Sequence, residues 1–247
     1  MTTTPDATAP PDEPAGAVAA LFGGRAELAR GFFGHLSTTA VARGLIGPRE
    51  VPRLWERHLL NCAAVAELVP AGASLVDVGS GAGLPGIAIA IARADVSVTL
   101  VEPLQRRVTW LEEVVADLGL ENVTVCRARA EEVRGVLAAD VATARAVAAL
   151  PVLAGWCLPL VRPGGRLLAV KGRTASEELT ASIDDLTRLG ATGWEIRTCG
   201  EAALAEPTTV VCVTAGTGVR RGGPGRRRGA RVRSTFEKSR RGRGAPG

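Results

Sequence analysis

The spacing of apolar positions along the chain changes near residue 70, and the change predicts two kinds of structure. Before it, Leu21, Leu28 and Phe32 recur at the spacing of one helix face. After it, apolar runs of strand length alternate with segments of helix length, a pattern typical of α/β proteins with a mostly parallel sheet. We therefore predict a helical extension over residues 16–70 and an α/β domain over residues 71–215.

The α/β domain is predicted to contain seven strands. These strands cover residues 75–78, 96–101, 123–126, 140–143, 166–170, 194–198 and 208–213. The predicted helices cover residues 87–92, 104–119, 147–160 and 174–190. Because no helix separates the last two strands, we expect them to pair antiparallel, whereas crossover helices make the other strands parallel. The sequence thus predicts a seven-stranded, mostly parallel sheet with an antiparallel last strand.

A glycine-rich turn follows the first predicted strand and precedes a helix. Asp77 lies in the strand, and Gly79, Gly81 and Gly83 alternate after it. Glycine allows the backbone to pass close beneath a ligand, and a helix N-terminus offers unpaired N–H groups. At the end of the second strand, Glu102 can accept hydrogen bonds from both hydroxyls of a ribose. These five residues predict an adenosine-containing cofactor at the carboxyl ends of the strands.

Two cofactor patterns overlap in this turn. The glycines at 81, 83 and 86 fit the dinucleotide pattern G-x-G-x-x-G, which is a weak signal alone. The glycines at 79, 81 and 83, with an aspartate ahead of them, fit the S-adenosylmethionine pattern acidic-x-G-x-G-x-G. The strand stops at Gly79, and Pro85 removes an N–H group that a pyrophosphate would use. The residues thus favour S-adenosylmethionine, and NAD is the alternative.

Charge is distributed unevenly between the body of the chain and its end. The net charge is +5, but residues 216–247 contain ten Arg, one Lys and one Glu, together with nine Gly. A segment of this composition cannot build a core, so we predict that it is disordered. The Pro/Thr-rich residues 1–15 are also predicted to be disordered. An Arg/Gly tail on an acidic body is typical of a nucleic-acid-binding arm, and a tail that only adds solubility is the alternative.

Cysteine usage and hydropathy limit the setting in which the chain works. The five cysteines lie far apart and form no C-x-x-C pair, so we expect buried thiols rather than disulfides or metal ligands. No run reaches the roughly 18–20 apolar residues of a membrane span, and the first residues lack the features of a signal peptide. We therefore predict a cytoplasmic protein with no metal and no membrane partner, and take a monomer as the default.

Five blocks occur in order along the chain and together resemble one known family. They are residues 54–61 (LWERHLLN), 77–86 (DVGSGAGLPG), 129–131 (RAE), 143–147 (TARAV) and 170–172 (VKG). The match covers roughly residues 20–215 and resembles the bacterial small-subunit ribosomal RNA methyltransferase G family, also called glucose-inhibited division protein B. The resemblance implies the Rossmann-like class I methyltransferase fold with S-adenosylmethionine as the methyl donor. It further implies methyl transfer to N7 of a guanine in the 530 loop of 16S rRNA (the position 527 type), so that the small ribosomal subunit is a partner.

The resemblance also implies roles for individual residues. Gly79 and Leu84 would contact the methyl donor in the first turn, and Ala130 and Glu131 would line the adenine pocket. Arg145, just beyond the fourth predicted strand, would lie beside the methionine carboxylate or the target base. The family more often carries an aspartate at the ribose-binding position, where this chain has a glutamate that should act alike.

A third group of residues is predicted to meet the RNA. Arg57, His58 and Asn61 share one face of a predicted helix, next to the apolar face that enters the core. Lys171, the only lysine before the tail, follows the fifth predicted strand at the ligand-binding edge. Guanine N7 carries an available lone pair and needs no general base, so Arg145 and Lys171 are predicted to catalyse the transfer by positioning. His58 acting as a base is the alternative.

Two other classes of function stay open on the residues alone. An NAD-dependent oxidoreductase would use the overlapping glycine pattern, but we find no proton-relay residue for it. A non-enzymatic RNA-binding protein would account for the basic tail, yet it would give the glycine turn and Glu102 no purpose.

Overall fold

The N-terminal part of the chain is helical, although most of its helices are short. The computed structural model describes residues 11–145, 148–220 and 232–233. Among these, the α-helices before the first strand are α1 (Ala15–Phe22), α2 (Ala26–Ser37), α3 (Thr39–Ala42) and α4 (Asn61–Ala64). The 3₁₀ turns of this part are Gly23–Arg25, Pro48–Arg53 and Val65–Leu68.

A π-helical segment, Leu54–Leu60, leads into α4. Such wide turns are rare and are frequently found at functional sites. The predicted core face of this segment is confirmed, because Trp55, Leu59 and Cys62 are all buried. Trp55 also stacks on Phe33, with ring centroids 4.4 Å apart. The apolar side chains thus fix the segment, and its polar side chains are left on the outer face.

The described residues form one eight-stranded sheet. Its strands are β1 (Ser74–Val78), β2 (Ser97–Val101), β3 (Val123–Cys126), β4 (Ala139–Arg145), β5 (Val161–Lys171), β6 (Ala191–Cys199), β7 (Thr208–Ala215) and β8 (Val232–Arg233). Their spatial order is β6-β7-β5-β4-β1-β2-β3-β8. The strands from β3 to β5 in this order run parallel, whereas β7 is antiparallel to both β5 and β6. The predicted mostly parallel sheet with an antiparallel last strand is confirmed.

One short strand lies inside the segment that the sequence predicts to be disordered. β8 pairs antiparallel with β3, with Val232 opposite Cys126. Without it β3 would be an edge strand, and the open N–H and C=O groups of an edge strand readily accept a partner. The rest of the predicted tail, residues 221–231 and 234–247, and residues 1–10 of the predicted disordered start lie outside the described residues.

Four further α-helices cover the sheet. They are α5 (Gly86–Ala92), α6 (Gln105–Asp117), α7 (Leu150–Cys157) and α8 (Ala175–Arg188). One apolar cluster joins the N-terminal helices, α5 and α6 to the sheet, and a second joins α7 and α8 to it. The predicted helix over residues 147–160 is shorter than expected, because its end is a 3₁₀ turn, Leu158–Leu160, that contains Pro159. Residue 147 itself lies outside the described residues.

The packed chain continues slightly beyond the predicted limits of the folded part. Val219 is buried in the cluster of α7 and α8, and the Gly216 N–H group donates to the Gly190 carbonyl at 2.9 Å. At the other end, Glu13 forms an ion pair with Arg30 at 2.8 Å. Contacts of the folded part therefore begin before residue 16 and extend past residue 215.

The cysteines are buried and free, as predicted. Within the described ranges, no helix combines the length and apolar character needed to cross a membrane. The same residues contain no group of three or more His, Cys, Asp or Glu side chains placed to hold a metal ion.

Candidate active site

Three glycines shape the turn that joins β1 to α5. Gly79, Gly81 and Gly83 have φ values of 72°, 56° and 77°, which residues with a Cβ rarely adopt. The Gly79 N–H group donates to the Val101 carbonyl at 2.9 Å and so ties the turn to the end of β2. A Cβ on Gly81 would find no protein atom closer than 3.8 Å, so the space beside it is open. The turn presents backbone, rather than side chains, to a ligand.

Asp77 lies beneath this turn with one carboxylate oxygen unpaired. Its Oδ2 accepts a hydrogen bond from the Gly86 N–H group at 3.0 Å. Its Oδ1 is buried and has no hydrogen-bond partner among the described residues. Burial raises the pKa of Asp77 to about 7, although the Gly86 hydrogen bond and the charge of Arg145 act to lower it. A buried acceptor without a donor is unfavourable, so this position favours a ligand that brings positive charge.

Glu102 is buried at the end of β2 and is held by backbone donors. Its Oε2 accepts from the Gly81 N–H group and its Oε1 from the Leu104 N–H group, both at 3.0 Å. The Arg107 guanidinium lies 3.6 Å from Oε2. Each carboxylate oxygen has two lone pairs, so both oxygens can still accept a bond from a ligand hydroxyl. The structure thus brings Glu102 directly to the glycine turn.

The residues implied for the adenine pocket follow β3 at the same edge of the sheet. Ala130 begins a 3₁₀ turn, Ala130–Val133, and belongs to the apolar cluster that contains the ends of β1 and β2. Glu131, next to it, is exposed. Leu84 is buried against the other cluster, on the α5 side. Ala130 and Leu84 therefore approach the turn from opposite faces of the sheet.

Arg145 ends β4 and reaches the π-helical segment. Its Nη1 donates to the Arg57 carbonyl at 3.2 Å, and its Nη2 donates to His58 Nδ1 at 3.0 Å. His58 Nε2 lies 2.8 Å from Glu50 Oε2. Because a guanidinium only donates, Nδ1 must accept, and a neutral imidazole then donates its Nε2–H to Glu50. We call Arg145, Arg57, His58 and Glu50 the Arg145 cluster.

His58 has no nitrogen left for proton transfer. Burial lowers its pKa, the charge of Arg145 lowers it further, and Glu50 only partly opposes these effects. The imidazole is therefore neutral near pH 7, with one nitrogen accepting from Arg145 and the other donating to Glu50. This geometry argues against the alternative in which His58 acts as a general base.

Lys171 lies beside the Arg145 cluster without joining it. Arg145 on β4 pairs with Val170 on β5, and Lys171 is the next residue of β5. Its Nζ donates to the Ala148 carbonyl at 3.2 Å and to Glu178 Oε1 at 2.8 Å. The same Glu178 oxygen accepts from the Leu150 N–H group at the start of α7. Lys171 therefore connects the end of β5 to α7 and α8, which a sequence-based assignment to RNA contact did not foresee.

The structure adds arginines to the predicted RNA-facing group. Arg49, Arg53 and Arg57 are exposed at four-residue intervals and form no ion pair with any residue in the described part of the chain. Arg53 and Arg57 both act on Glu50: the His58 hydrogen bond lowers the pKa of Glu50 most, and the charges of Arg53 and Arg57 lower it further. We call these three arginines the basic stripe. The four-residue spacing was visible in the sequence, but Pro48 and the proline at 52 concealed the helical continuity.

Asn61, the last predicted RNA-facing residue, is tied to the sheet through its backbone. Its carbonyl accepts a hydrogen bond from Thr208 Oγ1, at the start of β7, at 3.1 Å. Its side chain is partly exposed on the same outer face as Arg57. The structure thus brings Arg57, His58 and Asn61 together at the carboxyl edge of the sheet.

Comparison with known proteins identifies the family. Residues 25–205 match the family described as rRNA small subunit methyltransferase G. The chain belongs to this family. The resemblance of the five sequence blocks is therefore confirmed, and the chain is an S-adenosylmethionine-dependent rRNA methyltransferase. Membership in the methyltransferase G family decides against the NAD-dependent oxidoreductase and the non-enzymatic RNA-binding protein.

Relatives named ribosomal RNA small subunit methyltransferase G cover most of the chain. The protein from Renibacterium salmoninarum is 53% identical over 204 residues, which are 82% of this chain and 95% of that protein. The protein from Salinispora tropica is 56% identical over 209 residues, which are 82% of this chain and 86% of that protein. These alignments extend over both the helical part and the sheet.

Solved structures that share little sequence show the same fold. An O-methyltransferase family protein from Burkholderia thailandensis has a TM-score of 0.52 at 15% identity, covering 74% of this chain and 62% of that one. A methyltransferase from Pyrococcus furiosus has a TM-score of 0.51 at 12% identity, covering 65% of this chain and 86% of that one. The class I methyltransferase architecture is thus shown for this member of the methyltransferase G family.

The residues of the glycine turn fit the family's methyl donor. S-adenosylmethionine carries a positive sulfonium and a positive ammonium, and the unpaired Asp77 Oδ1 offers buried negative charge to such a ligand. The open space beside Gly81 allows close approach to the backbone. Glu102 offers carboxylate lone pairs to ribose hydroxyls at the same turn. A dinucleotide would instead bring its pyrophosphate to the glycine turn, where its negative charge would meet the buried Asp77.

Proposed function

We propose that the protein methylates N7 of a guanine in the 530 loop of 16S rRNA, at a position of the 527 type. The observation that carries the proposal is the Arg145 cluster, in which His58 has no free nitrogen for taking a proton. Methylation of a hydroxyl or an amine releases a proton, which a general base usually accepts. Guanine N7 carries no proton and reacts through its lone pair, so its methylation needs no base. A site built to position its substrate suits this nitrogen.

The donor side of the proposed site is formed by the glycine turn and the two buried carboxylates. Bound S-adenosylmethionine supplies an electrophilic methyl group. Gly79, Gly81, Gly83 and Leu84 would enclose the donor in the first turn. The two carboxylates, Asp77 and Glu102, would then complement its positive end and its ribose.

The adenine end of the donor would lie between β2 and β3. Ala130 gives this end an apolar wall, and Glu131 follows it at the exposed rim. Burial of an aromatic base against small apolar side chains adds affinity without restricting the methyl group. We therefore expect changes at Ala130 and Glu131 to affect donor affinity more than the rate of transfer.

The RNA side of the proposed site is the face that carries Arg57, His58 and Asn61. Arg145 would position the target base or the methionine carboxylate, with His58 and the Arg57 carbonyl holding its guanidinium in place. Arg57, with the rest of the basic stripe, would bind phosphates, which fixes the register of the RNA without reading its sequence. Lys171 would act with Arg145 by holding the neighbouring strand ends, since its ammonium is bonded to Glu178.

We infer that the enzyme acts as a monomer in the cytoplasm, on RNA within the small ribosomal subunit. The monomer is the default expectation for this chain. Support for the compartment comes from the free, buried cysteines, which are typical of a reducing environment. Sedimentation of the purified protein at micromolar concentration tests the monomer.

The product of the reaction tests the proposal. Small ribosomal subunits that lack the modification would be incubated with the protein and methyl-labelled S-adenosylmethionine, and the digested nucleosides identified by mass spectrometry. We expect 7-methylguanosine, mapped by chemical cleavage to a single guanine of the 530 loop. A labelled nucleoside methylated on oxygen, on an exocyclic amine or on another base would overturn the proposal.

A further inference from the structure

A cavity of about 550 Å³ lies between the N-terminal helices and the loop that joins β6 to β7. One wall is the start of α1 with the residue before it, the second is the outer face of the π-helical segment and the start of α4, and the third is the loop 203–206. The polar side chains in its lining belong to Glu56, Arg57, Asn61 and Glu206. The remaining lining residues are small or apolar, so these four decide what the cavity can bind.

The cavity adjoins the Arg145 cluster at the carboxyl edge of the sheet. Arg57 lines the cavity, and its carbonyl accepts the hydrogen bond of Arg145 Nη1 at 3.2 Å. Asn61 also lines it, and its carbonyl accepts from Thr208 at the start of β7. One short stretch of chain therefore holds the Arg145 guanidinium on one side and a wall of the cavity on the other. Arg57 is thus the residue that the Arg145 cluster and the cavity have in common.

The carboxylates in this cavity need an explanation, because the proposed function assigns the surface around them to RNA. Glu56 lies between two arginines of the basic stripe, yet it is exposed and has no hydrogen bond or ion pair to any described residue. A carboxylate beside phosphates is repelled by them and weakens the attraction that the arginines supply. It becomes favourable where it accepts hydrogen bonds from a base, since bonds to a charged acceptor are stronger than neutral ones.

Among the RNA bases, guanine alone presents two adjacent donors, N1–H and the N2 amine, that one carboxylate can accept together. Adenine and cytosine each place a ring-nitrogen acceptor on that edge, which a carboxylate repels. Guanine also places O6 next to N1, where a donor from Arg57 or Asn61 can reach it. Its N7 lies on the opposite edge of the ring. A guanine with its donor edge in the cavity would therefore turn N7 out of the cavity.

We propose that this cavity receives the Watson–Crick edge of the target guanine and that Glu56 accepts its N1–H and N2 donors. The proposal rests on the proposed function, because it assumes that the methylated base is guanine. Glu56 is chosen over Glu206 because it lies on the π-helical segment, which Trp55 anchors in the core, whereas Glu206 lies on an exposed loop. In this proposal Glu56 selects guanine, and Arg145 positions the selected base.

The test removes one donor from the base and one acceptor from the enzyme. Small subunits would be reconstituted with 16S rRNA that carries guanosine or inosine at the target position, and kcat/KM measured for each. Inosine keeps N7, O6 and N1–H and lacks only the N2 amine. For the unaltered enzyme we expect inosine to lower kcat/KM by about 10- to 100-fold, the loss of one hydrogen bond to a charged group.

Two variants separate Glu56 from the rest of the cavity. In Glu56→Ala the guanosine and inosine substrates should differ by less than about threefold, because the acceptor that reads the amine is gone. Glu206→Ala, the same change on the opposite wall, should keep the discrimination of the unaltered enzyme. Titration with S-adenosylmethionine should give the same Kd for Glu56→Ala as for the unaltered enzyme, which shows that the variant is folded.

Several outcomes would overturn the proposal. Equal methylation of guanosine and inosine by the unaltered enzyme would mean that no group reads the N2 amine. Full discrimination in Glu56→Ala, or its loss in Glu206→Ala alone, would remove Glu56 from this role. Absence of 7-methylguanosine from the guanosine substrate would instead overturn the proposed function, and the pocket assignment with it.

Discussion

Asp77 holds a proton more tightly in the folded protein than in the unfolded chain. Its pKa is about 7 when folded, against an ordinary value of 3.8. Between these values the folded state binds more protons, so this residue makes folding less favourable as pH rises from about 4 to about 7, and the cost is complete above that. We predict that Asp77→Asn raises Tm relative to the unaltered protein by more at pH 8 than at pH 5, as measured by calorimetry without ligand.

The same substitution should have the opposite effect on the donor. Without the buried carboxylate, nothing complements the positive end of S-adenosylmethionine, so Asp77→Asn should bind it more weakly. The unaltered protein should also bind it more tightly as pH rises through about 7, because only the ionised carboxylate carries charge. Unchanged affinity in Asp77→Asn, at a pH where the unaltered protein binds well, would remove Asp77 from the site.

Glu102 provides a second prediction at this scale. Loss of a charge-assisted hydrogen bond costs about 1.5–3 kcal/mol, so Glu102→Ala should raise the Kd for S-adenosylmethionine by roughly 10- to 100-fold. The structure adds a reason, since Glu102 also holds the Gly81 N–H group of the turn. Isothermal titration measures the Kd, and Glu121→Ala, at an exposed glutamate before β3, is the matched control. An equal Kd in the two variants would contradict the ribose assignment.

The sequence showed which residues belong to the candidate site, but it did not show their protonation or their hydrogen-bond partners. The sequence singled out three of these residues by their position. Asp77 comes before the alternating glycines, and Glu102 and Arg145 come at the ends of predicted strands. That His58 is neutral and bonded on both sides depends on Glu50 and Arg145, which lie 8 and 87 positions away in the chain. That Lys171 is bonded to Glu178 depends on how the chain turns from β5 into α8. Such pairings arise only when the elements meet.

At the scale of elements, the π-helical segment connects the RNA-facing surface to the sheet. The segment carries the exposed side chain of Arg57, which belongs to the basic stripe. The Arg57 carbonyl and the His58 ring accept hydrogen bonds from Arg145 and hold it in place. Its outward charges and its inward hydrogen bonds thus belong to one rigid unit, fixed by buried Trp55 and Leu59. The helical nature of this segment was predicted from the spacing of its apolar residues. Its π-helical turn was not, because that spacing does not distinguish neighbouring helix types.

The basic stripe makes a prediction about salt dependence. If its arginines bind phosphates, changing Arg49, Arg53 and Arg57 together to Gln should weaken binding to the small subunit. The slope of log K against log salt should become shallower by about 0.7–0.9 for each phosphate that the variant no longer neutralises. Arg188→Gln, at an exposed arginine at the end of α8, is the control and should leave the slope unchanged. Equal slopes for the triple variant and the unaltered protein would place the RNA elsewhere.

At the scale of the whole molecule, the basic tail and the folded body should contribute separately. The structure places a suitable cut after Arg220, since Val219 packs against α7 and α8. Deletion of residues 221–247 also removes β8 and makes β3 an edge strand, but it leaves the glycine turn, Asp77 and Glu102 in place. We therefore expect it to leave the Kd for S-adenosylmethionine unchanged and to weaken RNA binding at low salt, with the difference shrinking as salt rises. Binding measured at several salt concentrations tests this, and a changed methylation site after deletion would contradict it.

The overall architecture was more predictable than its edges. Alternating strand and helix patterns predicted the parallel strands and the antiparallel pair β6 and β7, because each pattern reflects local burial. The start of β5 at Val161 was missed, since Arg162, Pro163 and two glycines interrupt the apolar run. β8 was missed as well, because two residues carry no periodicity and their pairing depends on the free edge of β3.

The central claim is that the site positions its substrate and takes no proton from it. The most direct test is the single-turnover rate of methyl transfer, with S-adenosylmethionine and small subunits saturating, between about pH 7 and 9 in H₂O and D₂O. In this range His58 is neutral and Asp77 is already charged or paired with the donor. We predict a rate that does not change with pH and a solvent isotope effect near one. A large isotope effect that His58→Ala removes would contradict the claim, because a neutral His58 could take a proton at the same rate throughout this range. A rate that rises about tenfold per pH unit would also contradict it, since the substrate would then have to lose a proton before the transfer.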